Sequence, residues 1–192
     1  MQGIFLDTET NGLNPKKHRI IDIAFCIVNL ATSNNITEYQ SIIYQPKRIW
    51  QLSNKESLAI NGYTWDVVAT GVKIKIVKKN IISIFKKYKI TRDNAVFICQ
   101  NPSFDRAFFS QIIDTDIQEK LLWPYHWLDL ASMYWAIIMK KKKKQQKISL
   151  SKDNIAKYLH LPKESTPHQA KNGVQHLMSC YEKLIGYTKT QS

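Results

Sequence analysis

Asp7 and Glu9 are the residues of this chain whose types and spacing point most directly to chemistry. They follow a short apolar run, Gly3 to Leu6, that reads as a β-strand, and they precede the turn residues Asn11-Gly12. Side chains alternate along an extended chain, so Phe5, Asp7 and Glu9 share one face while Leu6 and Thr8 take the other. Two carboxylates at the end of a buried strand repel each other and lose hydration. Only a proton or a cation relieves that cost. Hard divalent ions bind such oxygens, and paired ions drive phosphoryl displacement. The triplet Asp-x-Glu alone carries little, since roughly one is expected by chance at this length. Its place between an apolar run and a turn is what gives it meaning.

A third acid has a comparable setting. Ala95 to Cys99 reads as a strand and leads into Asn101-Pro-Ser-Phe-Asp105. Asn101 suits a helix N-cap and Pro102 the first helical position. Asp105 then falls in the first turns of a helix just past a strand end. Ligands of open α/β sheets bind at that edge, and an acid there equally complements the helix dipole.

The elements that must position these groups follow from periodicity. Gly3–Leu6, Ile20–Leu30 and Glu38–Tyr44 form three strands separated by turn residues, as in an antiparallel meander. Ala95–Cys99 and Leu128–Leu130 add two more. Val72, Ile76, Val77, Ile81, Ile84, Phe85 and Tyr88 recur at helical spacing, and Ala131–Met139 and Leu150–Leu161 read as shorter helices. One helical turn is expected around Glu56–Ile60. A last helix is expected to open with Thr166 as N-cap and Pro167 as its first residue, burying Ala170, Val174, Leu177 and Tyr181. The expected class is α/β: a mixed five-stranded sheet, three strands in a meander plus two further strands, flanked by helices. One domain spans 1–186, with a short tail over 187–192.

Charge narrows the partners. The 192 residues hold 28 Lys+Arg against 15 Asp+Glu, a net charge of +13, which favours a polyanionic partner and nucleic acid first. Lysines 73, 75, 78, 79, 86 and 87 line the polar side of one helix, and Lys140–Lys144 form an unbroken run. Both read as solvated charge or as phosphate-tracking surface. Trp123, Tyr125 and Trp127 suit core packing more than base stacking. Three well-separated cysteines and the absence of a CxxC pair fit a reducing interior without structural zinc. No signal peptide or membrane-length apolar run is visible, so a soluble, cytoplasmic protein without a membrane partner is expected.

Taken in order, the segments resemble the DEDDh exonucleases, the family of the proofreading epsilon subunit of bacterial DNA polymerase. Phe5-Leu-Asp-Thr-Glu-Thr-Asn-Gly-Leu13 is similar to the first motif of that family, Ile60-Asn-Gly-Tyr-Thr64 to its Ile-His-Gly-Ile-Thr segment, and Asn101-Pro-Ser-Phe-Asp105 to its second motif. Ser149 to Pro162, followed by Pro167-His-Gln-Ala170, resembles the lead into the third. The resemblance implies a ribonuclease-H-like fold and metal-dependent 3′–5′ exonuclease activity on single-stranded DNA or RNA ends, with two Mg²⁺ or Mn²⁺ ions. It implies Asp7, Glu9 and Asp105 as metal ligands and His168, in the first turn of a helix, as general base. Thr8, Thr10, Leu13 and Asn101 would meet the substrate. One position departs: the fourth acid of the family falls on Gly173. Water or Asn172 replaces that ligand and activity persists in weakened form, or the chain is a catalytically impaired nucleic-acid-binding module. In the second case Gly173→Asp is the change expected to create activity.

Overall fold

β2 explains the architecture best, because Ile20–Asn29 is an almost unbroken apolar run and nearly all of it is buried. A strand covered on both faces reads this way. In the computed structural model, which describes residues 1–141 and 148–187, β2 pairs antiparallel with β1 (Gln2–Thr10) and with β3 (Asn35–Ile42). β1 also pairs parallel with β4 (Ala95–Cys99), and β4 parallel with β5 (Trp127–Asp129). The order β3-β2-β1-β4-β5 gives the mixed five-stranded, ribonuclease-H-like sheet that the sequence implied, with β1 at its centre.

Helices cover both faces. On one, α4 (Ile74–Lys87) and α5 (Pro102–Phe109) bring Val77, Ile81, Phe85, Phe108 and Phe109 against Ile4, Leu6 and Phe25. On the other, α7 (Leu130–Lys141), α8 (Lys152–Tyr158) and α9 (Ala170–Leu184) bring Tyr134, Ile155, Leu177 and Tyr181 against Phe5, Ala24 and Ile98. The Phe5 and Tyr181 rings meet edge to face at 5.2 Å, a geometry worth about 0.5–1.5 kcal/mol beyond area burial. The strict alternation of β1 is visible in this split: Leu6 serves one core and Phe5 the other.

Short helices fill the connections: α1 (Lys47–Trp50), α2 (Lys55–Asn61), α3 (Trp65–Ala69) and α6 (Thr115–Lys120). Periodicity showed only α2, since helices this short bury too little for a readable stripe. Trp123 packs on Phe85 with ring centroids 4.5 Å apart, and Trp127 stacks on Phe97 at 4.0 Å, so both tryptophans are core. Lys142–Lys144 of the lysine run and residues 188–192 of the tail lie outside the described residues. Among the described residues no helix is long and apolar enough to cross a membrane.

Candidate functional site

β1 outruns its parallel neighbour. Pairing with β4 extends from Gln2↔Ala95 to Phe5↔Ile98 and then stops, so Asp7 to Thr10 project beyond the end of β4. The chain leaves β4 through Asn101, whose backbone turns left-handed (φ 59°), and enters α5 at Pro102. The Asn101 amide donates to Asp129 Oδ1 at the end of β5, 3.1 Å away, which fixes that turn. Asp105 is thereby carried back onto β1, where the Thr8 hydroxyl donates to its Oδ1 at 2.8 Å. Asp105 thus lies near the end of the strand that carries Asp7 and Glu9.

Their electrostatics are those of crowded carboxylates. Burial, reinforced by Asp7, pushes the Asp105 carboxyl well above the usual range, against the pull of the Thr8 hydrogen bond. Burial and then Asp7 push Glu9 up to about 8. Asp7 is likewise raised by burial, while Lys152 pulls it back.

Lys152 is the group that sequence reasoning missed. Its ammonium lies 2.8 Å from Glu164 Oε2 and 3.4 Å from Asp7 Oδ1. These side chains are only 15% (Lys152), 3% (Glu164) and 14% (Asp7) exposed. Burial opposes the lysine's charge, but Asp7 and Glu164 outweigh it and raise its pKa. The lysine stays an ammonium. A signal for it existed: Lys152 stands three and four residues before the fully buried Ile155 and Ala156, on the apolar stripe of α8. Glu164 lies in an irregular loop and had no periodicity to betray it.

α9 closes the site from the other side. A Cβ built on Gly173 would collide with Asp7 Oδ2, so any larger residue there would have to push that carboxylate aside. Gly173 therefore gives the Asp7 carboxylate its room in this arrangement.

His168 is placed differently from expectation. α9 begins at Ala170 with Gln169 as its N-cap, so His168 lies in the preceding loop and not in a first helical turn. The reason is Asp22. Its Oδ2 accepts the Ala170 amide at 3.1 Å, the Tyr63 hydroxyl at 2.7 Å and the Gln40 amide at 3.1 Å, and this anchors the helix start to β2. The His168 backbone amide donates instead to Ile60 O at 3.2 Å. His168 Nδ1 is 3.9 Å from Glu164 Oε2, beside the acid cluster but not hydrogen-bonded to it.

Asp22 is fully buried with Oδ1 unpartnered among the described residues, and a lone acid in a ten-residue strand with eight apolar residues was its legible signal. Burial raises its carboxyl, against the bonds from Tyr63, Gln40 and Ala170. Asp22→Ala, which orphans three donors, is expected to cost roughly 2–4 kcal/mol in urea unfolding. Asp22→Asn keeps an acceptor and is expected to cost distinctly less. Equal losses would contradict the anchoring role.

The expected substrate residues border open space. Thr8, Glu9, Thr10 and Leu13 line a cleft of about 100 Å³ with Ile60 and Phe104. Leu13 is 72% exposed, and the Thr10 carbonyl is pinned by the Asn61 side chain at 3.0 Å. Asn101 is exposed, and its side chain accepts from Ser103 without capping the backbone of α5. A second groove, about 430 Å³, is lined by Lys152, Lys157, Lys163, Glu164 and His168. A cavity of about 460 Å³ between β2, β3 and α9 holds none of the acids at the end of β1. Size does not mark the chemistry here.

A divalent ion requires several oxygens aimed at one point. Among the described residues no group of three or more His, Cys, Asp or Glu side chains is arranged to hold a metal ion. The cation that Asp7 meets is the Lys152 ammonium. The donor set therefore does not fit the two Mg²⁺ or Mn²⁺ ions that the sequence implied.

The family model described as Exonuclease (RNase T) matches residues 4–172. No curated protein sequence matches the chain. Among solved structures, cell-death related nuclease 4 superposes with a TM-score of 0.76 at 12% identity, over 97% of this chain and 65% of that one. E. coli exonuclease I in complex with a dT13 oligonucleotide gives 0.70 at 17% identity, over 95% of this chain and 41% of that one. A product-bound structure of exonuclease I gives 0.70 at 15% identity, over 97% and 43%. This chain thus spans less than two-thirds of any of the three, and at these identities the likeness is one of fold.

Proposed function

Because the chain belongs to the RNase T exonuclease family, we propose that it is a nucleic-acid-binding module built on an exonuclease fold, with catalysis impaired. The observation that carries this reading is the Lys152 ammonium seated between Asp7 and Glu164, where the acids of a phosphodiesterase would otherwise receive metal ions. The binding half rests on the net charge of +13 and on the groove lined by Lys152, Lys157, Lys163 and His168. The cleft beside it, with Leu13, Ile60 and Phe104 along its edge, suits the face of a terminal base. In this reading the Thr10 main chain and Thr8 approach the sugar of a 3′ end, Leu13 packs against its base, and Asn101 supports the strand. Exonuclease I, of the same fold, has been seen in complex with single-stranded DNA. Three buried, unpaired cysteines agree with a cytoplasmic setting.

Fluorescence anisotropy with labelled single-stranded DNA and RNA tests this directly. Binding is expected in EDTA as well as in Mn²⁺. Its affinity is expected to fall roughly tenfold or more between 50 and 200 mM salt, since each released phosphate counterion contributes a slope of about −0.7 on logarithmic axes. Salt-independent binding, or none, would remove the proposal.

A metal-dependent 3′–5′ exonuclease on single-stranded ends is the second reading. Asp7, Glu9 and Asp105 favour it, since all three are raised by burial and Asp7 raises the other two. Crowding of this kind is the mark of a site that accepts positive charge. End-labelled DNA and RNA incubated with Mn²⁺ distinguish the two. Mononucleotide release that Asp7→Ala abolishes would establish the enzyme; intact label at both ends supports the binding module.

A further inference from the structure

We propose that Lys152 is the resident cation of the acid pocket, and that Lys152 and Glu164 together keep divalent ions away from Asp7. Its functional meaning rests on the binding-module reading, while its geometry does not.

Both oxygens of Asp7 have close neighbours. Oδ1 faces the Lys152 ammonium at 3.4 Å, and Oδ2 lies against α9 at Gly173, where even a methyl group would not fit. A divalent ion bound to Asp7 at about 2.0–2.6 Å would have to displace the ammonium or the helix. The ammonium is held in turn by Glu164 at 2.8 Å, and Glu164 is the most deeply buried of the three side chains. Glu164 Oε1 has no hydrogen-bond partner among the described residues, so the Lys152 ammonium is the closest charged partner of this acid there.

The lysine is built into the fold. Ser151 caps α8 through the Asn154 amide, and Ile155 and Ala156 of the same helix sit in the core. The stem of Lys152 therefore departs from a fixed point, and its charged end is the only part that must find partners. Glu164 arrives from the loop that also carries His168, whose backbone is tied to Ile60. Two separate segments thus supply a cation and an extra acid to one pocket. The Asp7 carboxylate itself occupies the space that a side chain at position 173 would enter.

An ammonium neutralises carboxylates but is no Lewis acid, so it neither activates a water nor coordinates a leaving oxygen. It does have three N–H donors, and Lys152 also borders the lysine-lined groove. A tethered cation of this kind offers a phosphate a permanent contact that a chelator cannot remove.

Mn²⁺ titration of the wild-type chain and of Lys152→Met tests the proposal, read by the loss of the free Mn²⁺ signal in electron paramagnetic resonance and by thermal unfolding. Wild type is expected to take up no Mn²⁺ in the micromolar range and to show no Mn²⁺-dependent Tm. Lys152→Met is expected to bind at least about tenfold more tightly and to gain Tm with added metal, as a ligand specific to the folded state must produce. Wild-type uptake as tight as that of the variant would overturn it, and so would a folded variant that gains nothing. Lys152→Gln serves if the methionine variant does not fold. The wild-type titration decides by itself in either case. Anisotropy on the same samples separates the two proposals: lost oligonucleotide binding with the Mn²⁺ contrast intact removes the binding module and leaves the resident cation standing.

Discussion

Lys152→Met is expected to lower folding stability by roughly 3–5 kcal/mol near pH 8, the scale on which breaking a buried ion pair leaves its partners uncompensated. The variant keeps the length of the stem and its contacts on α8, so packing changes little. What it removes is the ammonium that pairs with Asp7 and Glu164. The loss must depend on pH, and its sign follows from Asp7. Its carboxyl is already raised above the ordinary 3.8 by burial with Lys152 pulling it back, and without the ammonium it rises further. An acid raised in the folded state contributes most below its unfolded value and loses that contribution as pH climbs through the folded one. The deficit of the variant should therefore be small near pH 4.5 and widen towards pH 8. Urea unfolding at both values checks it. An equal loss at the two would mean that the lysine acts through packing alone.

Gly173→Asp is expected to cost roughly 3 kcal/mol or more, and to create no nuclease, because it combines overpacking with a second buried negative charge. Gly173→Ala isolates the steric part. In an exposed helix alanine is preferred over glycine by about 1 kcal/mol, so a loss here would reverse the sign that helix propensity dictates. The new Cβ collides with Asp7 Oδ2 and Cγ. Asp7→Ala removes those atoms. In that background Gly173→Ala should be neutral or stabilising, which gives a coupling energy of about 1–3 kcal/mol between the two positions. Additive effects would show that Asp7 does not lie against α9. In the fold the space that a side chain at 173 would enter is taken by the Asp7 carboxylate.

The groups legible in the sequence are those whose position follows from local periodicity. Alternation along β1 placed Asp7 and Glu9 on the face opposite Thr8, and strand-then-helix punctuation placed Asp105 at the start of α5. The meander was readable because β2 is apolar throughout and the turns around it are rich in Asn and Gly. Lys152 and Asp22 were readable in principle, each a charge standing on an otherwise buried stripe or strand. They passed unnoticed because the motifs drew attention to the acids expected to hold metal. His168 was misplaced because Thr166-Pro167 is a good local helix start, whereas the actual start is set by Asp22, far away on β2. No local rule contains a contact across 148 residues. Glu164 belongs to the same class, since only the tertiary fold brings its loop to α8.

Crystals grown with millimolar Mn²⁺ and measured at the manganese absorption edge test the central claim most directly. The account predicts no anomalous peak beside Asp7, Glu9 and Asp105, and density for the Lys152 side chain reaching between Asp7 and Glu164. One or two strong peaks on those carboxylates, with Lys152 turned out of the pocket, would contradict it and restore the metal-dependent nuclease.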